Sequence, residues 1–167
     1  FDVEAADYDS AERKLRRVLD APDAIGEAVR SSVVLTLARV HMMQGRFDEA
    51  EPVILQAVAD TVEDDEDSPQ AVRSLSIAAM LFRQKGQVER ALEYSERMIA
   101  IVRSNTDGDH WRTATYLAEH GRTLLANGQQ GAGIDALREA QRILSQSFGP
   151  RNSHLSKVNR DLAQFGA

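Results

Sequence analysis

Three glycines, Gly45, Gly86 and Gly128, stand 41 and 42 positions apart, and the residues around them recur in step. Ala38, Gly45, Phe47, Ala50, Ile54 and Ala57 are followed by Ala79, Gly86, Val88, Ala91, Ser95 and Met98, and then by Gly121, Gly128, Gln130, Gly133, Leu137 and Ala140. The three copies align without an internal gap. A fixed period of this length constrains the fold more than any local propensity, because each unit is too small to bury its own apolar face and becomes stable only against its neighbours. Partial copies flank the three. Tyr8-Asp9-Ser10-Ala11-Glu12 mirrors Phe47-Asp48-Glu49-Ala50-Glu51, and a helical pattern from His154 to Phe165 places Ala163 another 42 positions beyond Gly121.

Within a copy the apolar residues follow helical spacing, as in Val33, Val34, Leu37, Val40 and then Ala50, Val53, Ile54, Ala57, Val58. Two helices per copy result, and the glycine between them supplies the positive φ that lets the chain leave one helix and reverse into the next. The breaks between copies are polar: Glu63 to Pro69, Ser104 to Asp109, and Phe148 to Ser153. Small residues, Ala38, Ala79, Gly121 and Ala163 on first helices and Ala11, Ala50, Ala91 and Gly133 on second helices, mark where two backbones approach. The expected layout is one domain over 1–167: a half-repeat at 1–24, repeats at about 25–69, 70–109 and 110–152, and a closing half-repeat helix at 153–167.

Composition narrows the function. The residues are 43% hydrophobic and 28% charged with only four prolines, which describes a folded chain and excludes a disordered or fibrous one. A net charge of −6 with interspersed signs disfavours nucleic-acid and anionic-membrane binding. The absence of cysteine removes disulfides, thiolate chemistry and Cys-ligated zinc. No apolar run approaches the roughly 20 residues of a membrane span, so a cytoplasmic location is expected. The chain opens on Phe1 rather than a methionine, so a processed product or, in preference, a segment cut from a longer protein is expected.

The repeat resembles the tetratricopeptide repeat, whose pattern places a small residue in the first helix, Gly before the turn, an aromatic, and Ala in the second helix. Gly45-Arg46-Phe47-Asp48-Glu49-Ala50-Glu51-Pro52 is the best-matching stretch. The period near 42, the Ala-Glu-Pro run and the Phe148-Gly149-Pro150…His154 linker look like the longer variety of kinesin light chains and bacterial multidomain regulators. In the later copies Ser95 replaces a large residue, and Gln130 and Gly133 replace the aromatic and the alanine. The resemblance implies an all-α solenoid, a right-handed superhelix of antiparallel hairpins whose concave wall of first helices grips a peptide or partner protein. The inner-wall positions it implies are Leu35, Arg39, Met42 and Met43; Arg73, Ile77, Met80 and Arg83; Ala118, Arg122 and Leu125; and Lys157 and Arg160. The family's chaperone-tail clamp is missing, since Leu35 with Arg39, Ile77, and Thr115 with Glu119 occupy its places.

Each of these positions has a plainer reading. The row Arg39, Arg73, Arg83, Arg122, Lys157 and Arg160 suits an acidic or phosphorylated peptide through guanidinium forks, or is a set of solvated charges paired at i±4. Met42, Met43 and Met80 offer an adaptable contact surface or fill the core. The run Glu63 to Asp67 lacks the ligand spacing of a calcium loop and reads as a solvated linker. Gly128, Gly131 and Gly133 follow a helix rather than a strand, so a phosphate-binding turn gives way to a hairpin turn. Trp111 is expected over a hairpin joint, with an exposed anchor as the alternative. His41, His110, His120 and His154 form no i, i+4 ligand pair and adjoin no nucleophile motif, so neither an enzyme nor a metal or cofactor is expected. The function expected is that of a protein-interaction module in a larger regulatory protein. The alternative is homo-oligomerisation through the unpaired terminal helices.

Overall fold

The computed structural model describes residues 5–21, 26–105, 110–149 and 151–165. Among the described residues there are eight α-helices and no strand: α1 (Ala5–Leu19), α2 (Glu27–Met43), α3 (Phe47–Asp65), α4 (Pro69–Gln84), α5 (Val88–Asn105), α6 (Trp111–Ala126), α7 (Gln130–Ser147) and α8 (Ser153–Gln164). They divide into two compact units, residues 1–65 and 66–167. The first holds α1 to α3 and the second α4 to α8.

The hairpins α2–α3, α4–α5 and α6–α7 are closed by the same local chemistry. Gly45, Gly86 and Gly128 have φ of 74°, 74° and 77°, the left-handed region that costs a residue with a Cβ about 1–2 kcal/mol. In each turn the residue after the glycine donates its N–H to a carbonyl five positions back: Arg46 to His41 at 2.8 Å, Gln87 to Phe82 at 2.8 Å and Gln129 to Leu124 at 2.9 Å. The glycine N–H bonds three back, to Met42, Arg83 and Leu125. Two otherwise orphaned carbonyls are thereby satisfied at every first-helix C-terminus.

Starts of helices are fixed as locally. Ser68 Oγ accepts from the Ala71 N–H at 3.1 Å with Pro69 at the first helical position. Asn152 Oδ1 accepts from His154 and Leu155 N–H at 2.9 and 3.1 Å. His110 Nδ1 accepts from Arg112 N–H at 3.1 Å. The polar breaks are shorter than expected, because α3 runs through Asp65 and takes the first three carboxylates of the acidic run into its exposed last turn. Ser104 and Asn105 likewise end α5. Thr106 to Asp109 and Pro150 lie outside the described residues.

The small residues sit where the helices cross. Ala38, Ala50, Ala79 and Ala91 are at most 1% exposed. At the α6–α7 crossing both partners are glycines, and a Cβ on Gly121 would lie 2.9 Å from the Gly133 carbonyl oxygen and 3.0 Å from Leu137 Cγ. Gly133 therefore shortens the helix separation instead of merely degrading the repeat. The expectation fails for Ala163, which is exposed, and for Ala11, which is half-buried. No described helix packs on the outer side of α8 or α1 to enclose them.

Gly121→Ala is expected to destabilise the second unit by ~1–3 kcal/mol, because a backbone carbonyl must move. Gly131→Ala, whose added Cβ meets nothing within 4 Å, is expected to leave the denaturant midpoint unchanged or raise it. Urea unfolding of both variants checks the contrast.

Candidate functional site

Residues 66–167 place three first helices side by side, with α6 packed against both α4 and α8. A polar chain crosses them. Arg83 of α4 donates through Nη2 to Glu119 Oε1 at 2.7 Å; Arg122 of α6 lies 3.5 Å from Glu119 Oε2 and donates through Nε to Asp161 of α8 at 2.7 Å. Glu119 is buried at 4% exposure, so its charge is tolerable only because two guanidiniums flank it. Arg83 and Arg122, expected to face a guest, are committed to acids on neighbouring helices. The pairing expected at i±4 is in fact mostly between helices.

The other expected wall positions scatter. Leu35, Met42, Ile77 and Ala118 are buried at 4%, 3%, 4% and 3% exposure; they are core residues outside the cleft described below, each on the stripe its helix turns inward. Leu125 is half-buried and packs over Gly133, whose added Cβ would approach its Cγ to 2.7 Å. Arg39, Lys157 and Arg160 are exposed, Arg73 and Met80 half-exposed, and Met43 is 56% exposed. Arg39 and Met43 belong to the first unit, the rest of these to the second.

A cleft of about 540 Å³ opens where the starts of α4 and α6 meet the end of α5. Val72, Ile101 and Val102 are its apolar walls; Gln70, Arg73, Arg112, Thr113 and Tyr116 supply polar groups, with His110, Pro69 and Asp67 at the edges. Burial pushes the Tyr116 hydroxyl above its ordinary range, while the nearby positive charges of Arg112 and Arg73 act in the opposite sense. Of these only Arg73 was expected at a site. Tyr116 and Arg112 follow the family's inner-wall offsets at no point; a signal lay in the column 42 residues apart, where Pro69 stands for Trp111.

Trp111 packs at a joint and keeps 36% of its surface exposed. Its ring is edge-on to Phe148 with centroids 5.9 Å apart and 6.4 Å from His154. A second pairing runs against expectation: Ser95 Oγ lies 2.9 Å from His120 Nδ1, bringing a histidine beside a hydroxyl from a helix 25 positions away. Ser95 has no exposed surface, so no substrate reaches it and the pair is a strut between α5 and α6. In the first unit the half-buried start of the array is held by Glu12, which meets Arg16 at 2.7 Å and Arg46 at 2.8 Å and lies 3.4 Å from His41 Nε2. Burial raises the Glu12 carboxyl and these cations more than offset it, leaving it below the ordinary range. The His41 contact is within ion-pair reach but outside hydrogen-bond geometry, and both ring nitrogens are enclosed.

Residues 30–104 match the family model described as tetratricopeptide repeat. Over that span the chain is similar to the tetratricopeptide repeat. The repeat pattern continues beyond the matched span, since α6–α7 reproduces the same glycine turn. A putative kinesin light chain from Podosopora anserina with nearly identical TPR-like repeats is similar at 21% identity and a TM-score of 0.71, covering 96% of this chain and 78% of that one. A point variant of that protein gives 22%, 0.72, 96% and 77%. BtubC (BKLC) from P. vanneervenii gives 18% and 0.70 over 96% of this chain and 63% of that one, so the repeat chain spans less than two thirds of that structure. These likenesses show the fold. No curated protein sequence matches at a significant level. Among the described residues no helix is long and apolar enough to cross a membrane, and no three His, Asp or Glu converge as a metal group.

Glu119→Ala takes the acid from Arg83 and leaves Arg122 with Asp161 alone, both guanidiniums being about a quarter exposed, and is expected to cost ~1–3 kcal/mol, discounted from a fully buried pair for solvent screening; chemical denaturation measures it. Burial holds both His120 and His154 below the ordinary 6.5, helped by Arg103 for the first and by Lys157 and Arg122 for the second. The fold thus favours their neutral forms: the contribution is complete above pH 6.5 and is lost as pH falls through that value toward the folded-state pKa values. Thermal midpoints are expected to drop on acidification through this window, and His120→Gln to flatten the drop.

Proposed function

We propose that the chain is a non-enzymatic protein-interaction module that receives an acid-bearing segment of a partner protein on the first-helix side of α4 and α6. Tetratricopeptide repeats in general mediate protein–protein interaction, and the module fits within the cytoplasmic part of a larger regulatory protein. The observation that carries the reading is the cleft beside Arg73 and Arg112. Further along the same helices Arg83 and Arg122 are paired with Glu119 and Asp161, and the cleft carries two guanidiniums against the single carboxylate of Asp67. Guanidinium–carboxylate contacts are among the stronger polar interactions, about 1.5–3 kcal/mol each.

A second reading is homo-oligomerisation through the terminal helices, favoured by exposed apolar side chains there, Val18 on α1 and Phe165 at the end of α8. One experiment addresses both. Acidic peptides from an array are titrated by fluorescence anisotropy against the protein, its Arg73→Glu/Arg112→Glu double variant and Arg39→Glu, with sedimentation of the protein alone in the same buffer. Binding at least ~10-fold weaker for the double variant, unchanged for Arg39→Glu, on a monomer, is the expected result. Equal binding by the double variant refutes the cleft reading, and a dimer without peptide binding favours self-association.

A further inference from the structure

The cleft lies at a joint that recurs one repeat later with different residues. The α4–α5–α6 joint and the α6–α7–α8 joint are related by a shift of 42 residues: Pro69 corresponds to Trp111, Ile101 and Val102 to Ile143 and Leu144, and Arg112 to His154. At the later joint the Trp111 indole stands against Phe148 and His154. At the earlier one a pyrrolidine replaces the indole, and about 540 Å³ stays open over Val72, Ile101 and Val102, which are buried at 6%, 6% and 4% exposure. The fold therefore accommodates an aromatic ring at this kind of joint, and here the chain does not supply one.

The rim differs from the later joint in charge. Where His154 and Val158 stand one repeat on, the cleft has Arg112 and Tyr116, and Arg73 joins them from α4. The His110 Nδ1 accepts a backbone N–H, which leaves the neutral ring's proton on Nε2 as a further donor. Asp67 is the single carboxylate against two guanidiniums. Neither Arg73 nor Asp67 is without a partner in the fold, so the net positive charge, not a vacancy, is what a guest meets. An inorganic oxyanion would leave most of this volume unfilled, given that a water molecule takes about 30 Å³ of liquid, and a neutral ring would leave the donors unmet.

We infer that the cleft seats a phosphorylated tyrosine of the partner, its ring over Val72, Ile101 and Val102 and its phosphate between Arg73 and Arg112. Ring and charge come from one side chain because the apolar walls and the donors line one cavity. Phosphate carries about −1.5 to −2 charge and three acceptor oxygens, and guanidinium forks match it. This rests on the proposed partner-binding reading and specifies the group that enters the site.

The test uses the protein with two small probes, phenyl phosphate and inorganic phosphate, followed by backbone amide NMR, and with one acidic peptide in phosphorylated and unphosphorylated tyrosine forms. Phenyl phosphate is expected to shift the amides of the first turns of α4 and α6 and to bind ~10-fold more tightly than inorganic phosphate, a difference of about 1.4 kcal/mol. Phosphorylation is expected to tighten the peptide by at least the same factor. Pro69→Trp, which installs at the first position of α4 the residue the chain already uses at the first position of α6, is expected to abolish phenyl phosphate binding while the amide spectrum stays folded. Arg112→Glu, at an exposed position, is expected to weaken it ~10-fold or more. Equal binding of the two peptide forms, or phenyl phosphate binding that survives both variants, overturns the inference; acidic peptides that still bind through Arg73 and Arg112 then leave the broader partner reading standing.

Discussion

The two-bond closure at Gly45, Gly86 and Gly128 is the constraint on which the remaining architecture depends. A helix C-terminus leaves carbonyls unsatisfied, and burying it beside a second helix would be costly unless the turn supplied donors. Here it does so with backbone groups alone, 2.8–3.1 Å from their acceptors, so the reversal is independent of which side chains surround it. That independence lets the flanking residues diverge. The aromatic after the turn becomes Val88 and then Gln130, and the alanine becomes Gly133, while the hairpin geometry persists.

What the turns leave to side chains is the joining of one hairpin to the next, and polar contacts carry much of it. Glu12 ties α1 to the start of α3 through Arg46, Ser95 meets His120 across α5 and α6, and Glu119 with Asp161 links α4, α6 and α8. A buried carboxylate between two guanidiniums is only modestly stabilising in net terms but strongly disfavours misaligned helices, which would leave it alone. The same contacts take up Arg83 and Arg122, which along the sequence look no different from the other cations of their helices.

Much of this was legible in the sequence for physical reasons, and the rest was hidden for equally physical ones. Helix pairs, their turns and the backbone approach at Ala38, Ala50, Ala79 and Ala91 follow from periodicity and side-chain size, which are local. The wall positions followed family offsets, and offsets do not distinguish a residue aimed at solvent from one rotated a few tens of degrees into the core, as Leu35, Met42 and Ile77 are. Arg83 looks free along the chain because its acid, Glu119, lies on another helix, as Asp161 does for Arg122. Helix ends ran past the polar segments, since exposed Glu and Asp tolerate a helical turn. The cleft was the hardest to see, because its lining comes from the starts of two helices and the end of a third.

That last point bears on how such arrays acquire binding sites. Pro69 and Trp111 both occupy the first position of a first helix, where either residue is compatible with the backbone. Exchanging one for the other changes the bulk presented at a joint without removing a hydrogen bond of the helix. A duplicated unit can thus acquire or lose a cavity by change at a single codon, and the cost of a new specificity falls on one solvent-edge residue instead of on the core.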